Sequence, residues 1–386
     1  MNASPNIETV TTPALLIDGP VLSENIAQMA TRAKAAGVEL WPHSKTHKSR
    51  RIASLQREHG ASGLTVATVR EAECFADAGF ENLLLAYPPV GDWRLDRLSK
   101  LADRANLRVV LDGVETVAIL DEACRANRTS VRYLWEVDCG VGRCGTQAGS
   151  ATAALIEQAT TDFTHTTFDG LMTFGGHAYA AADTDGIAAA AQDEKNALAE
   201  TAAALNTLGI EARARSAGTT PTSHQLTEAG PITEIRPGNY VFYDATQVTL
   251  ELVPENRCAL TVLATVVSRP DRRRIILDCG SKALAAERLT TRSQNFGLVA
   301  GQPELAVERL FEEHAIVTSS DPTDIPLGAR LRVIPNHSCA TANLHTRMLV
   351  LEDEQVADVW PVDARGWDTS ATARDRSPAG MAREAP

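Results

Sequence analysis

Between residues 20 and 245 the chain repeats one pattern: a short apolar or β-branched run, then a longer Ala-rich stretch with helical spacing. The strand-like runs are VELWPHS (38–44), GLTVAT (63–68), NLLLAYP (82–88), LRVVLD (107–112), VRYLWEVD (131–138), FDGLMTF (168–174), EARARSAG (211–218) and ITEIRPG (232–238). Helical stretches fill the gaps, among them VLSENIAQMATRAKAAG (21–37), TVREAECFADAG (68–79) and TDGIAAAAQDEKNALAETAAALNTLG (184–209). Eight strands in strict alternation with helices predict an α/β fold, a parallel (β/α)8 barrel over residues 18–245. A doubly wound open sheet usually has fewer repeats and a Gly-rich first turn, and no GxGxxG follows the first run.

After residue 246 helical periodicity fades. Short β-rich runs take over: QVTLELV (247–253), CALTVLATVVSRP (258–270), RRIILDCG (273–280), HAIVTSS (314–320), ARLRVIPN (329–336) and RMLVLEDEQVADVWPV (347–362). They predict a mostly antiparallel β domain over 246–366, joined by a strand from residues 1–17, which end in PALLI. The polar tail 367–386 is expected to be disordered.

Charge and cysteine usage narrow the function classes. Lys plus Arg total 37 and Asp plus Glu 49, a net charge of −12, which repels phosphate backbones and anionic lipid surfaces. Nucleic acid and membrane are therefore not expected partners. No window of about 18 apolar residues occurs, and the N-terminus lacks the basic-then-apolar order of a signal peptide. The 7 cysteines are scattered with no CxxC, so a cytoplasmic setting is expected.

Candidate chemistry gathers at the C-terminal ends of the strands, where barrel enzymes place their active sites. The first strand ends in Pro42-His43-Ser44-Lys45-Thr46-His47-Lys48. In an extended segment Lys45 would share a face with His43 and His47. A lysine crowded by other cations in a partly desolvated mouth has a lowered pKa and becomes nucleophilic, as a Schiff-base lysine must. A solvated basic loop is the bland alternative. The fifth strand ends in EVDCGVGRCG (136–145), whose glycines turn the backbone so that Arg143 faces the mouth; a planar guanidinium suits a phenolate or carboxylate oxygen. Loops after strands seven and eight, SAGTTPT (216–222) and RPGNY (236–240), are rich in Gly and hydroxyl side chains and could cradle a dianion. A phosphate cradle together with a Schiff-base lysine describes pyridoxal phosphate. In the β domain, Asn336-His337-Ser338-Cys339 would put imidazole and thiol on one face of an extended segment, a pair suited to zinc with coordination positions left open. Glu312-Glu313-His314 and Asp278-Cys279-Gly280-Ser281-Lys282 form two further polar clusters, for which a contact role is as good a reading as chemistry.

PHSKTHK, EVDCGVGRCG, GGHAY, SAGTTPT, RPGNYVFYDA, LDCGSKAL and PNHSCATANLH follow in this order within residues 10–366. With this set the chain resembles the D-serine dehydratase and D-threonine aldolase group, metal-dependent enzymes of alanine-racemase type (fold type III). The resemblance implies that Lys45 bears pyridoxal 5'-phosphate and that Arg143 sits near its phenolic oxygen. It implies that Gly218, Thr219 and Thr220, with Gly238, Asn239 and Tyr240, bind the phosphate. His177 and Tyr179 would lie near phosphate or substrate, and His337 and Cys339 would hold a divalent metal in a homodimeric enzyme. A His-x-Cys pair favours zinc, whereas the His-x-Asp of the best-known D-threonine aldolases suits manganese or magnesium. The expected reaction is β-elimination of D-serine to pyruvate and ammonia. Retro-aldol cleavage to glycine and an aldehyde is the alternative. An amino-acid racemase and a non-catalytic pyridoxal phosphate carrier are further alternatives, against which the His-x-Cys pair and the β domain respectively argue.

Overall fold

The structure, a computed structural model, describes residues 6–367. Apart from Trp367, the tail expected to be disordered lies outside the described residues. Strand β1 (Ala14–Asp18) leads into helix Gly19–Ala36, which Asp18 caps by accepting the Val21 N–H at 3.0 Å. Strands β2 (Glu39–Leu40), β3 (Leu64–Val66), β4 (Asn82–Leu85), β5 (Asn106–Leu111) and β6 (Val131–Asp138) follow. A two-residue β7 (Thr146–Gln147) pairs with the end of β6. The series ends with β8 (Thr166–Met172), β9 (Ala214–Ala217) and β10 (Glu234–Ile235). Their sheet runs β2-β10-β9-β8-β6-β5-β4-β3, every pairing parallel. Its two edges meet: Ser62 and Thr65 donate backbone N–H groups to the Leu40 and Pro42 carbonyls, each at 2.9 Å. The eight expected runs thus form one closed layer of parallel strands with helices outside.

The inside of this barrel is filled by Trp41, Leu84, Val110, Leu134, Met172 and Ala214. At its N-terminal end Arg108 donates to both Glu234 oxygens at 2.9 and 3.0 Å and lies 3.9 Å from the Trp41 ring centroid. A paired, stacked guanidinium is a buried charge whose desolvation is offset. This plug closes one end and leaves the C-terminal end for a site.

The second half contains β11 (Leu260–Asp271), β12 (Arg274–Leu277), β13 (Gly297–Val299), β14 (Leu305–Leu310), β15 (Ala315–Ser319), β16 (Arg330–Pro335), β17 (Arg347–Glu352) and β18 (Gln355–Pro361). The long β11 pairs with both β12 and β16, so β11-β12-β15-β14-β13-β16 is a closed antiparallel ring. On its way β11 also pairs with β1, and β1 pairs in parallel with β17. Two expectations need correction. QVTLELV is not a strand: Asp244 caps a helix over Ala245–Thr249 by accepting the Gln247 N–H, and Glu251 then takes a positive φ of 61°. Val248, Leu250 and Leu252 alternate as a strand would, but the cap residue just before them decides. Strands β13 and β14 were not anticipated; their turn-rich surroundings hide three- and six-residue strands. Among the described residues, no helix is long and apolar enough to cross a membrane.

One glycine is demanded by the barrel itself. Gly170 has φ 157° at a register shift between β6 and β8, and a Cβ there would lie 1.9 Å from the Ala214 carbonyl oxygen of β9. Gly170→Ala is expected to destabilise the protein by about 3 kcal/mol. Urea unfolding checks this, and a loss under about 1 kcal/mol would mean that the strands part to admit a methyl group.

Candidate active site

A cavity of about 640 Å³ opens at the C-terminal ends of the barrel strands and is roofed by Leu289, His337 and Cys339 of the second half. That volume matches a small-molecule site. Lys45 opens on it from a 3-10 turn over Ser44–Thr46. The expected extended segment is therefore a turn, and it separates the two histidines. His43 lines the cavity beside Lys45. His47 is fully buried on the other side, accepting the Ser49 N–H at 3.0 Å, and burial pushes its pKa down to about 3. Burial also lowers the Lys45 ammonium below its ordinary value; the Cys339 sulfur opposes this and Arg143 reinforces it. The result is an amine held toward its neutral, nucleophilic form.

Arg143 is aimed by its loop. One Asp138 carboxylate accepts the N–H groups of Gly140, Val141 and Gly142 at 2.9–3.1 Å. This folds the turn so that the guanidinium lies 4.4 Å from the Phe174 ring centroid and 3.5 Å from Glu136. Lys45 Nζ lies 6.0 Å from the same ring centroid.

Gly218, Thr219, Thr220, Gly238 and Asn239 form another wall. A Cβ on Gly238 would lie 2.7 Å from the Thr46 hydroxyl and 2.9 Å from the His43 carbonyl oxygen, so only glycine lets these backbones come together. Most donors here are committed internally: Gly218 N–H to Glu194, Thr219 N–H to Thr222 Oγ1 and Tyr240 N–H to Thr220 Oγ1. The backbone N–H groups of Thr220, Gly238 and Asn239 have no acceptor within the described residues. Three unpartnered N–H groups around a glycine-lined hollow are a nest for an anion.

His337 and Cys339 face the cavity from above, but not from an extended segment. His337 is the N-cap residue of helix Ser338–Leu344. The buried Asp244 carboxylate holds that helix start, accepting the Ser338 N–H at 3.0 Å and Asn239 Nδ2 at 2.5 Å. The Cys339 sulfur lies 3.1 Å from the Thr46 hydroxyl. Burial opposes charge on both members of the pair, but each charge stabilises the other. His337 is thereby raised to about 10, with help from its Glu287 partner, and the Cys339 thiol is lowered. A thiolate, and an imidazole that gives up its extra proton to the metal, are the donor set that zinc prefers. Among the described residues no group of three or more His, Cys, Asp or Glu is placed to hold a metal. A cation here would therefore have two protein ligands and open positions.

Tyr179 lines the cavity, whereas His177 and Tyr240 do not. His177 turns outward to Asp193 at 3.2 Å, and the Tyr240 hydroxyl accepts from Gln56 Nε2 at 2.9 Å in the layer behind the wall. With its N–H committed to Thr220 Oγ1 as well, Tyr240 offers an anion neither its hydroxyl nor its amide. Lys282 pairs with Glu312 and Glu313 at 2.7 and 3.0 Å, and neither polar cluster borders the cavity. Sequence reasoning gave no role to Arg236, which is buried at the cavity floor and donates to Ser216 Oγ (2.5 Å) and the Thr173 carbonyl (2.6 Å). It also missed Glu194 and Asp244. A lone carboxylate in the buried stripe of a helix was the available signal for Glu194.

The chain matches the family "Alanine racemase, N-terminal domain" over residues 17–246 and "Putative serine dehydratase domain" over residues 259–351. It is 32% identical over 376 residues to the D-threo-3-hydroxyaspartate dehydratase of Delftia sp. (strain HT23), covering 93% of this chain and 98% of that one. It is 32% identical over 363 residues to the D-threonine aldolase of Arthrobacter sp., covering 93% of each. A solved structure of a D-threo-3-hydroxyaspartate dehydratase with alanine replacing a cysteine, in the metal-free form, superposes with a TM-score of 0.86 at 30% identity, covering 94% of this chain and 100% of that one.

A lowered lysine pKa has a direct consequence: at a given pH more of Lys45 is free amine than of a surface lysine. Reductive methylation near neutral pH is expected to modify Lys45 ahead of the exposed Lys34 and Lys100. Peptide mass mapping over time reads the order, and equal rates would contradict the electrostatics above.

Proposed function

The chain belongs to the alanine-racemase-type (fold type III) family, in the group of D-serine dehydratases and D-threonine aldolases, and from that premise we propose that it is a pyridoxal-phosphate- and divalent-metal-dependent lyase of D-β-hydroxy amino acids. One juxtaposition carries the reading: Lys45, a nest of unpartnered backbone N–H groups, and the His337–Cys339 pair all face one cavity.

The residues fit both groups. The nest suits a phosphate, and the amine of Lys45 is suited to join an aldehyde carbon. His337 and Cys339 would hold the metal, zinc by donor type, with Glu287 fixing the imidazole as an outer carboxylate does for a metal-bound histidine. When bound, pyridoxal phosphate supplies an electron sink for charge at Cα, and the metal supplies Lewis acidity at the β-hydroxyl. The chain's own residues do the rest. Lys45 Nζ, kept toward neutrality by burial, is the base for the proton on substrate Cα. Arg143 offers a cation to a bound oxyanion, and its stacking on Phe174 limits where that charge sits. The roof made by Leu289, His337 and Cys339 limits water.

β-Elimination, with D-serine as the simplest substrate, is the preferred outcome. Support comes from the donor pair: a polarised β-hydroxyl is a leaving group, and the dehydratase of Delftia sp. is among the relatives. Further support is that another solved variant of such a dehydratase replaces a histidine two positions before the cysteine noted above, the spacing of His337 and Cys339. The aldolase relative keeps retro-aldol cleavage as the competing outcome.

Two measurements test this. Lys45→Ala is expected to abolish the yellow colour of cofactor-loaded protein, and retained colour would end the lysine assignment. Incubation with D-serine, D-threonine and D-threo-3-hydroxyaspartate is expected to release ammonia and a 2-oxo acid. The activity should vanish with EDTA and return with zinc. Glycine and an aldehyde as the products would replace elimination by the aldolase reaction, and undiminished activity of metal-free Cys339→Ala would remove the metal from the chemistry.

A further inference from the structure

We propose that Glu194 is a positioning residue that shapes the phosphate nest, an inference that rests on the cofactor reading above. Glu194 lies on helix Thr184–Thr207, whose buried stripe otherwise consists of Ile187, Ala190, Ala197, Leu198, Thr201 and Leu205. Its side chain crosses this apolar layer and is 1% exposed. A single oxygen, Oε1, accepts two backbone N–H groups: Gly175, from the loop after β8, at 2.8 Å, and Gly218, from the loop after β9, at 3.0 Å. The Thr222 hydroxyl adjoins it. A Cβ at Gly175 would stand 2.8 Å from the Glu194 carboxyl carbon, so the loop is shaped around this group.

The consequence reaches the cavity through the backbone. With Gly218 N–H tied outward to Glu194 and Thr219 N–H tied to Thr222, the turn at φ 89° leaves Thr220 N–H without an acceptor in the cavity wall. Glu194 does not line the cavity itself; through Gly218 it decides which amide faces the anion. Without an acceptor at this place, two buried N–H groups lose their partner, and the turn can recover them only by rotating, which removes Thr220 N–H from the nest. Burial raises the Glu194 carboxyl toward its neutral form, so an amide, which also offers one carbonyl oxygen to both N–H groups, should replace it.

The test compares two ligands that differ only in the phosphate. Wild type, Glu194→Met and Glu194→Gln are stripped with hydroxylamine and titrated with pyridoxal 5'-phosphate and with pyridoxal, read by visible absorbance. Met keeps the volume and removes the acceptor. Expected is a rise of about tenfold or more in the Kd of Glu194→Met for pyridoxal 5'-phosphate, with pyridoxal binding within about twofold of wild type. Glu194→Gln should stay within about twofold for both. Equal weakening for the two ligands would make Glu194 a fold residue only and overturn the proposal, as would Gln losing as much as Met. Should the Met variant not fold, Glu194→Ala is read the same way, and the Gln result still decides. Wild type that takes up neither ligand would remove the cofactor premise instead.

Discussion

The segment from His43 to Lys48 is gripped from both halves of the molecule, and the site exists only because of that grip. On the barrel side, the Thr65 N–H closes the sheet onto Pro42, and Gly238 packs within a methyl's breadth of Thr46 and His43. On the β-domain side, Thr46 meets Cys339 at 3.1 Å and Lys48 reaches Asn343 at 2.8 Å. Lys45 lies between these anchors. The position of its amine against the anion nest and the His337–Cys339 pair is therefore a property of the junction, not of either half alone.

That junction is polar and buried, which is costly unless every group is satisfied. Asp244 meets a large part of that cost. One carboxylate caps the Ala245–Thr249 helix, holds the Asn239 amide of the barrel and receives the Ser338 N–H between His337 and Cys339. Arg236 does similar work beneath the cavity, tying β9 to the end of β8 through Ser216 and the Thr173 carbonyl. Burial works against charge on both, and their hydrogen bonds are what fix a single arrangement rather than a family of similar ones.

The barrel was legible because its signal is local and repeated: short runs such as GLTVAT and NLLLAYP are apolar on both faces, and a helix follows most of them within a few residues. The second half was less so. In QVTLELV a period-two pattern competes with an aspartate cap, and alternation alone cannot say which wins. The lining of the cavity was legible where motif and location coincide, as for Lys45, Arg143, Gly218, Thr219, Thr220, Gly238, Asn239, Tyr179, His337 and Cys339. It was not legible where direction matters. His47 shares a motif with Lys45, yet the turn at Ser44–Thr46 sends it into the core, and Tyr240 and His177 turn away although their neighbours line the cavity. Glu194, Arg236 and Asp244 act through partners far along the chain, and no spacing rule announces such partners.

The path of β1 has a consequence for biosynthesis. Residues 14–17 sit between β11 and β17, against Leu260–Leu263 on one side and Leu349–Leu351 on the other. Strand β1 therefore stays without a neighbour until β11 is made and is not enclosed until β17 follows. The parallel barrel can form behind it during translation, but the roof cannot. A nascent chain therefore carries an open lysine cleft until Leu289, His337 and Cys339 arrive, and competence for chemistry comes as a late, single event rather than by degrees.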